Sequence, residues 1–253
     1  MNVTEIRVVD CVPFENYPFK IQDNSDMEML IDSIKESGVL IPIVVRPKGK
    51  EYEILSGHRR IYACKMSGID KVPAIIRELS REEAVIFMVD SNLHREGLLP
   101  SEKGFAYKMK LEAMKHQGRT SDQVGQKLTS VQALADSSSD SKTQVQRYIR
   151  LTFLEKPLLD LVDEGRIALT PAVELSRLLP EEQRNLIETI ESEDCTPSLS
   201  QSVRMRKLSN DGLLTMDKIF EIMTEVKGNQ VEVLKMELEV NLPRILIKQV
   251  GKE

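Results

Sequence analysis

The stretch Leu55-Ser56-Gly57-His58-Arg59-Arg60 decides how the first part of this 253-residue chain is interpreted. It lies where a predicted strand, Tyr52 to Leu55, is followed by a predicted helix, Gly57 to Ser67, which is expected to end at Gly68. A helix N-terminus offers unpaired backbone N–H groups and the positive end of the helix dipole. Two consecutive arginines add guanidinium groups that suit phosphate oxygens, and a glycine lets a ligand approach the backbone closely. The stretch therefore predicts an anion or nucleotide-phosphate site, with an ordinary turn and a solvated basic face as the alternative.

The residues around this stretch indicate a small mixed domain over residues 1–79. Alternating or β-branched residues predict further strands at Thr4 to Val9, Ile41 to Arg46 and Val72 to Arg77. A helix is expected to begin with Ser25 as its N-cap and to end at Gly38. The pattern is that of an α+β domain.

Residues 80–190 have an almost wholly helical pattern, which predicts a compact all-helical domain. Ser80 and Glu83 form a capping-box pattern at its start. Breaks are expected at Gly97 to Pro100, at Gly118, at 137–139, at Glu164-Gly165 and at Leu179-Pro180. Residues 191–212 are polar and are expected to be a linker. Residues 213–253 are expected to form a small C-terminal segment, an amphipathic helix from Met216 followed by a strand from Val231 to Val240, that packs on the body or dimerises.

A second polar group lies at Ser91-Asn92-Leu93-His94-Arg95-Glu96. Asn92 and Arg95 are three positions apart and share a helix face. The amide oxygen can coordinate a metal ion or the amide can bind a phosphate, and the guanidinium can balance phosphate charge. The alternative is a polar helix end.

A helix-turn-helix is predicted at about residues 130–151. Leu134-Ala135-Asp136 would end its first helix, Ser137 to Ser139 would form the turn, and the second helix would start near Ser141. Val145 and Ile149, four apart, would face the core. Polar and basic residues at the start of a second helix are what reading of the major groove requires. The candidate DNA-contacting residues are Lys142, Thr143, Gln144, Gln146, Arg147 and Arg150; an ordinary surface helix is the alternative.

Composition limits the classes of function. The net charge is −5, but Ser101 to Arg150 holds nine Lys or Arg against five Asp or Glu, so one face can be basic enough for DNA. The three cysteines lie far apart, which argues against a zinc site or disulfide framework and favours the reduced cytosol. The three histidines are also far apart in sequence, which argues against a metal site formed by them. The common hydrolase and ATPase motifs are absent from the sequence, so those functions have no support. The chain has neither a signal-peptide pattern nor an apolar run of about 20 residues, so no membrane partner is expected.

The order of these motifs resembles the ParB/RepB partition family over about residues 3–180. The strand residues Val39 to Arg46 come first, then Gly57 to Arg60, then Lys71-Val72-Pro73-Ala74. Asn92 to Glu96 and the helix-turn-helix follow.

This resemblance implies a ParB/sulfiredoxin-like N-terminal domain that binds CTP with Mg²⁺. Gly57, His58, Arg59, Arg60, Asn92 and Arg95 would line the nucleotide site. The helix-turn-helix would bind a centromere-like site on double-stranded DNA, and nucleotide binding would close a homodimer into a clamp. The function implied is partition of a plasmid, chromosome or mobile element in the cytoplasm, with a ParA-type ATPase as a partner.

The sequence departs from the family pattern where carboxylates are usual: His58 and Ser91 each stand in place of Glu, and Ile41 in place of a frequent Gln. We therefore expect altered nucleotide binding with slow or absent hydrolysis, and no catalytic residue is assigned. The metal ligands stay open, since Asp90 and Glu96 are near but not at the matching positions. Two alternatives remain: a transcriptional regulator without nucleotide control, and an enzyme of nuclease or sulfiredoxin type, which would need clustered carboxylates or an accessible Cys64.

Overall fold

The structure is a computed structural model that describes residues 2–120, 131, 134, 135, 138 and 140–225. The chain divides into two compact units, residues 1–176 and residues 177–253. The expected turn residues Ser137 and Ser139, and the expected strand Val231 to Val240, lie outside the described residues.

A five-stranded mixed sheet forms the centre of the first unit, in the order β1-β5-β3-β4-β2. Strand β1 runs antiparallel to β5, β5 parallel to β3, β3 antiparallel to β4, and β4 parallel to β2. The register pairs Ile6 with Val72 and Val45 with Ile54. The strands are β1 Val3–Arg7, β2 Cys11–Val12, β3 Ile43–Lys48, β4 Glu51–Ser56 and β5 Lys71–Ile76. The mixed sheet confirms the α+β class, although β3 starts two residues later than expected.

Helices α1 (Ser25–Ser37) and α2 (His58–Ser67) share an aliphatic core with the sheet. The expectation that Ser25 caps α1 is wrong. Asn24 is the N-cap: its backbone is extended and its side chain accepts a hydrogen bond from the Met27 amide at 3.2 Å. Both helices end at a glycine with positive φ, Gly38 and Gly68, as expected.

Helix α3 (Arg81–Leu93) packs on the sheet and on α4 (Pro100–Thr120). Neighbouring residues of β4 turn to different cores: Ile54 contacts the core of α1 and α2, whereas Leu55 contacts the core of α3 and α4. Ser80 and Glu83 form the expected capping box at the start of α3. A boundary at residue 79 would divide this second core, and the first unit instead continues to residue 176.

Three shorter helices follow between residues 140 and 176, where every residue is described: α5 Lys142–Leu151, α6 Lys156–Asp163 and α7 Leu169–Leu175. The expected break at Gly118 is wrong, because α4 continues to Thr120; a glycine costs a helix only about 1 kcal/mol. Near its start, α4 meets α5 closely. A Cβ atom added to Gly104 would lie 2.6 Å from the carbonyl oxygen of Tyr148, so the two backbones touch there.

The second unit contains α8 (Pro180–Glu193), α9 (Leu199–Asn210) and α10 (Met216–Thr224). The linker expected over residues 191–212 is corrected by α9, which has a capping box formed by Ser198 and Gln201. The Gln201 side chain also donates to the Ile222 carbonyl at 2.6 Å, which joins α9 to α10. The polar residues of this segment cap and surround a packed helix.

None of the helices in the described ranges combines the length and the apolar character needed to cross a bilayer.

Candidate nucleotide pocket and nucleic-acid interface

A cavity of about 560 Å³ opens where β4 meets α2. All six residues expected to bind a nucleotide line it, although they come from two segments more than 30 positions apart in sequence. Helix α1 and the loop before it supply the remaining wall. The lining residues are Tyr17, Lys20, Ile21, Asp26, Met29, Leu30, Ser56, Gly57, His58, Arg59, Arg60, Asn92 and Arg95.

Gly57 is the N-cap of α2 and has φ of +108°, a backbone conformation that side chains rarely adopt. A Cβ atom at this position would lie 2.5 Å from Cγ2 of Ile43 and 3.3 Å from Cζ of Arg60. The glycine is therefore required for the close packing of α2 against β3. It also lets a ligand approach the backbone closely at the start of α2, where helix amides lack partners within the helix.

His58 is buried and its ring stacks on Tyr17, with ring centroids 3.6 Å apart and planes at 19°. Burial lowers the pKa of His58 to about 4, so the imidazole is neutral near pH 7. Its two ring nitrogens have no hydrogen-bond partner among the described residues. Burial also raises the pKa of Tyr17, so its phenol stays protonated and can donate to Asn92 Oδ1 at 3.3 Å.

The two arginines of the motif have different surroundings. Arg60 donates to the carbonyl oxygens of Ile41 and Pro42, the latter at 2.8 Å, and so fixes the loop that precedes β3. The buried Nε of Arg59 has no hydrogen-bond partner in the described part of the chain. Arg59 is thus the guanidinium of this pair that is more available to a ligand.

Asn92 and Arg95 meet the cavity at the end of α3, as their spacing predicts. The Asn92 amide nitrogen donates to the Met88 carbonyl at 2.8 Å, which holds the side chain in place. The two carboxylates considered as substitutes for Glu do not line the cavity. Asp90 is paired with the buried Lys110, and Glu96 is exposed.

Asp26, in the first turn of α1, is the carboxylate that lines the cavity among the described residues. Across that same part of the chain, no three or more His, Cys, Asp or Glu side chains cluster as a metal site would require. A magnesium ion takes oxygen ligands, commonly one or two carboxylates together with substrate phosphates. The donor set therefore offers a metal ion very little support from the protein.

Sequence reasoning missed Lys20, which lies in the loop before α1. The Lys20 amide donates to Glu102 Oε1 at 2.5 Å, and its ammonium lies 3.2 Å from Asp163 Oδ2. Asp163 in turn accepts from the Ser101 amide at 3.0 Å and from its hydroxyl at 2.6 Å. A loop residue has no periodic signature, so only the fold brings Lys20 to the cavity.

Helix α5 begins with Ser141 as its N-cap, and Val145 is fully buried beneath it. Asp140, just before this helix, is fixed to α4, since the Tyr107 hydroxyl donates to its carboxylate at 2.6 Å. Six residues were expected to contact DNA. Lys142, Thr143 and Gln146 are exposed, whereas Gln144, Arg147 and Arg150 are half-buried.

The two arginines of α5 both contact neighbouring residues. Arg147 donates to the Thr170 hydroxyl at the start of α7. Arg150 donates to the Ser176 carbonyl at 3.3 Å and lies over the Phe153 ring at 4.8 Å. Arg150 therefore has a structural role in joining α5 to the end of α7, and a role for it in DNA binding stays a prediction.

The enzyme alternatives gain no support from these surroundings. Cys64 is fully buried in the core of the sheet, α1 and α2, and burial raises the pKa of its thiol. A buried neutral thiol is a poor nucleophile. The carboxylate cluster that a nuclease needs is also missing from the described residues.

Residues 1–93 match the family model of the ParB N-terminal domain. The chain is 33% identical over 167 residues to stage 0 sporulation protein J of Bacillus subtilis, covering 66% of this chain and 55% of that protein. It is 30% identical over 181 residues to the chromosome-partitioning protein Spo0J of Thermus thermophilus, covering 72% and 62%. A solved structure of C-terminally truncated ParB from Caulobacter crescentus, complexed to the centromeric parS site, aligns with 81% of this chain and 98% of that chain, at 21% identity and a TM-score of 0.48.

The first part of the chain, through α3, is thus a ParB N-terminal domain. Over most of its length the chain is similar to ParB-like partitioning proteins. It spans little more than half the length of the first of these relatives and less than two thirds of the second.

Proposed function

We propose that this chain is a sequence-specific DNA-binding protein that acts in the partition of a plasmid, chromosome or mobile element, and that a nucleotide, CTP, modulates it. The observation that carries the proposal is the single cavity of about 560 Å³ lined by Gly57, His58, Arg59, Arg60, Asn92 and Arg95. The residues whose sequence pattern indicates phosphate binding converge on one concave site. The relatives named as partitioning proteins support the same role.

Each part of the cavity has a task in this proposal. The first amides of α2 would hold phosphate oxygens, as helix N-termini do. The guanidinium groups of Arg59 and Arg95 would balance the phosphate charge. Arg60 would position the neighbouring loop, because its own donors already bind the Ile41 and Pro42 carbonyls. His58 and Tyr17 would form an aromatic wall beside the ligand.

Double-stranded DNA is the proposed second ligand, with α5 in the major groove. Lys142, Thr143 and Gln146 are exposed at or near the start of the helix, where side chains reach base edges. A homodimer would bind the two halves of a site, and nucleotide binding would favour a closed clamp by shifting the population of open and closed states. We further propose a cytoplasmic location on DNA and a ParA-type ATPase as partner.

Hydrolysis of the nucleotide is proposed to be slow or absent. The neutral imidazole of His58 and the hydroxyl of Ser91, which donates to the Met88 carbonyl at 2.9 Å, supply no carboxylate. A phosphate-release assay with CTP and selected DNA tests this, and turnover comparable to that of ordinary family members would contradict it.

The same scarcity of carboxylates favours a second candidate, a helix-turn-helix transcriptional regulator without nucleotide control. One experiment separates the two. DNA fragments bound by the full chain are first selected from a random pool, and a selected site is then placed on closed circular DNA and on linear DNA. Retention on the circle after a high-salt wash, only with CTP, is expected of a clamp. Equal, salt-sensitive binding with and without CTP would leave the regulator.

A further inference from the structure

We propose that the cavity takes its nucleotide as the free polyanion rather than as a magnesium complex. This inference rests on the proposed function and concerns the form of the same ligand. In this arrangement guanidinium groups and helix amides carry the charge balance that a metal ion would otherwise provide.

The wall of the cavity carries an excess of positive charge. Four cationic side chains line the cavity, against the single carboxylate of Asp26 among the described residues; the cations are Lys20, Arg59, Arg60 and Arg95. A nucleotide without its metal ion carries more negative charge than the magnesium complex. A wall with excess positive charge therefore attracts the free form more strongly.

The cavity also offers few side-chain oxygen atoms to a magnesium ion. Magnesium prefers carboxylate, carbonyl and water oxygens. The Asn92 Oδ1 atom already accepts from the Tyr17 phenol at 3.3 Å, and the Ser91 hydroxyl donates to the Met88 carbonyl at 2.9 Å. Asp26 is exposed and lies in the first turn of α1, not at the end of α3. The side-chain oxygens at the end of α3 thus have intramolecular partners.

His58 also favours the free nucleotide over the magnesium complex. It stands directly after Gly57 at the start of α2, where phosphate oxygens would bind, and it is buried against Tyr17. An imidazole offers nitrogen, which hard cations bind poorly. Its two buried nitrogens lack partners among the described residues, so a shift of the neutral ring on ligand binding would let one of them donate to a phosphate oxygen. The motif thus offers a hydrogen-bond donor where a metal ligand would be useful.

The buried Nε atom of Arg59 also favours an anionic ligand without a metal ion. It lacks a hydrogen-bond partner in the described residues, and a buried N–H group without an acceptor is costly. A shift of the half-buried Arg59 side chain toward an anionic ligand in the cavity would satisfy it. A magnesium complex would instead bring a divalent cation close to the same guanidinium.

Isothermal titration of the full chain with CTP, in the presence of a selected DNA fragment, tests the inference. One arm contains millimolar Mg²⁺ and the other EDTA, at equal ionic strength. We expect Kd in EDTA to lie within about threefold of the value in Mg²⁺, or to be tighter. Affinity about tenfold or more weaker in EDTA would overturn the inference alone, whereas absence of binding in both arms would overturn the proposed function with it.

Two variants make the test independent of one titration. Asp26→Asn removes the lining carboxylate, and Asp23→Asn, on the exposed loop nearby, is its matched control. We expect Asp26→Asn to keep or improve CTP affinity in Mg²⁺; a loss confined to the Mg²⁺ arm would show that a metal ion bridges this residue and the nucleotide. His58→Glu, checked for folding by circular dichroism, is expected to weaken binding in EDTA and to recover it in Mg²⁺. If that variant does not fold, the pair of aspartate variants still decides.

Discussion

The ammonium of Lys20 lies 3.2 Å from the carboxylate of Asp163, although 143 positions of sequence separate the two residues. Lys20 is on the cavity wall, and Asp163 is the last residue of α6. The same carboxylate accepts from Ser101 in the first turn of α4. The cavity proposed to bind a nucleotide is therefore connected by specific hydrogen bonds to α4, which packs against α5.

Asp163→Ala should lower the free energy of unfolding by about 1–3 kcal/mol, because a buried carboxylate with three charge-assisted hydrogen bonds is lost. Urea denaturation followed by circular dichroism measures the change. Asp160→Ala is the matched control on the same helix, since Asp160 pairs with the exposed Lys156 and should contribute little. Equal effects of the two variants would contradict a special role for Asp163.

Gly57→Ala should be strongly destabilising, by about 2–4 kcal/mol, because the added methyl overlaps Ile43 and the backbone has φ of +108°. Gly49→Ala in the β3–β4 turn separates the two causes. Its φ is +65° with nothing within 4 Å of the added Cβ, so strain alone should cost about 1 kcal/mol. Thermal or chemical unfolding gives both values, and a Gly57 variant no weaker than the Gly49 variant would contradict the overlap.

Acid should destabilise the first unit through His58. Its pKa falls from 6.5 to about 4 on folding because burial disfavours the charged ring. Above pH 6.5 the ring is neutral in both states and has no effect. Between pH 6.5 and 4 the unfolded chain binds the extra proton, so stability falls as pH falls, by up to about 3 kcal/mol.

Urea titrations at pH 7, 6, 5 and 4.5 measure this slope, and His58→Gln should flatten it. The exposed His94 provides the control, since His94→Gln should leave the slope in place. A slope that survives in the His58 variant would assign the acid sensitivity to other groups.

Lys142→Ala and Arg147→Ala should each weaken DNA binding. Loss of a base contact costs about 1–3 kcal/mol and relaxes sequence preference, whereas loss of a phosphate contact weakens all sites and lowers the salt dependence. Fluorescence anisotropy with selected and scrambled DNA over a range of salt concentrations distinguishes these outcomes. Lys156→Ala removes an exposed cation from α6 and serves as control. Wild-type affinity of both variants would remove the helix-turn-helix assignment.

Local sequence signals predicted much of this fold. Ser80 and Glu83 correctly predicted the start of α3. Gly38 correctly predicted the end of α1, and Gly68 the end of α2. The α1 cap was misplaced by one residue because Asn24 and Ser25 can both cap a helix, and the extended backbone falls on Asn24. Helix α9 was missed although the Ser198-to-Gln201 spacing is itself a capping-box signal.

The cavity was only half predictable for a different reason. Gly57, Arg59 and Arg95 lie at helix ends, where backbone amides and guanidinium groups indicate an anion site from sequence alone. Tyr17 and Lys20 lie in a loop without periodicity, and the fold brings them to the cavity through contacts with His58, Glu102 and Asp163. The neutral state of His58 likewise depends on burial that no local pattern reports.

The close approach of α4 and α5 at Gly104 has a mechanical consequence. With the Tyr148 carbonyl only 2.6 Å from where a methyl group would sit, no side chain separates the two helices at this point to absorb a displacement by changing rotamer. A small tilt of α4 would thus displace α5, whose start is proposed to enter the DNA groove. Any side chain at position 104 in place of Gly104 would push the two helices apart and change the direction of Lys142. The angle at which α5 is proposed to approach DNA would then change, although every residue proposed to contact DNA would still be present.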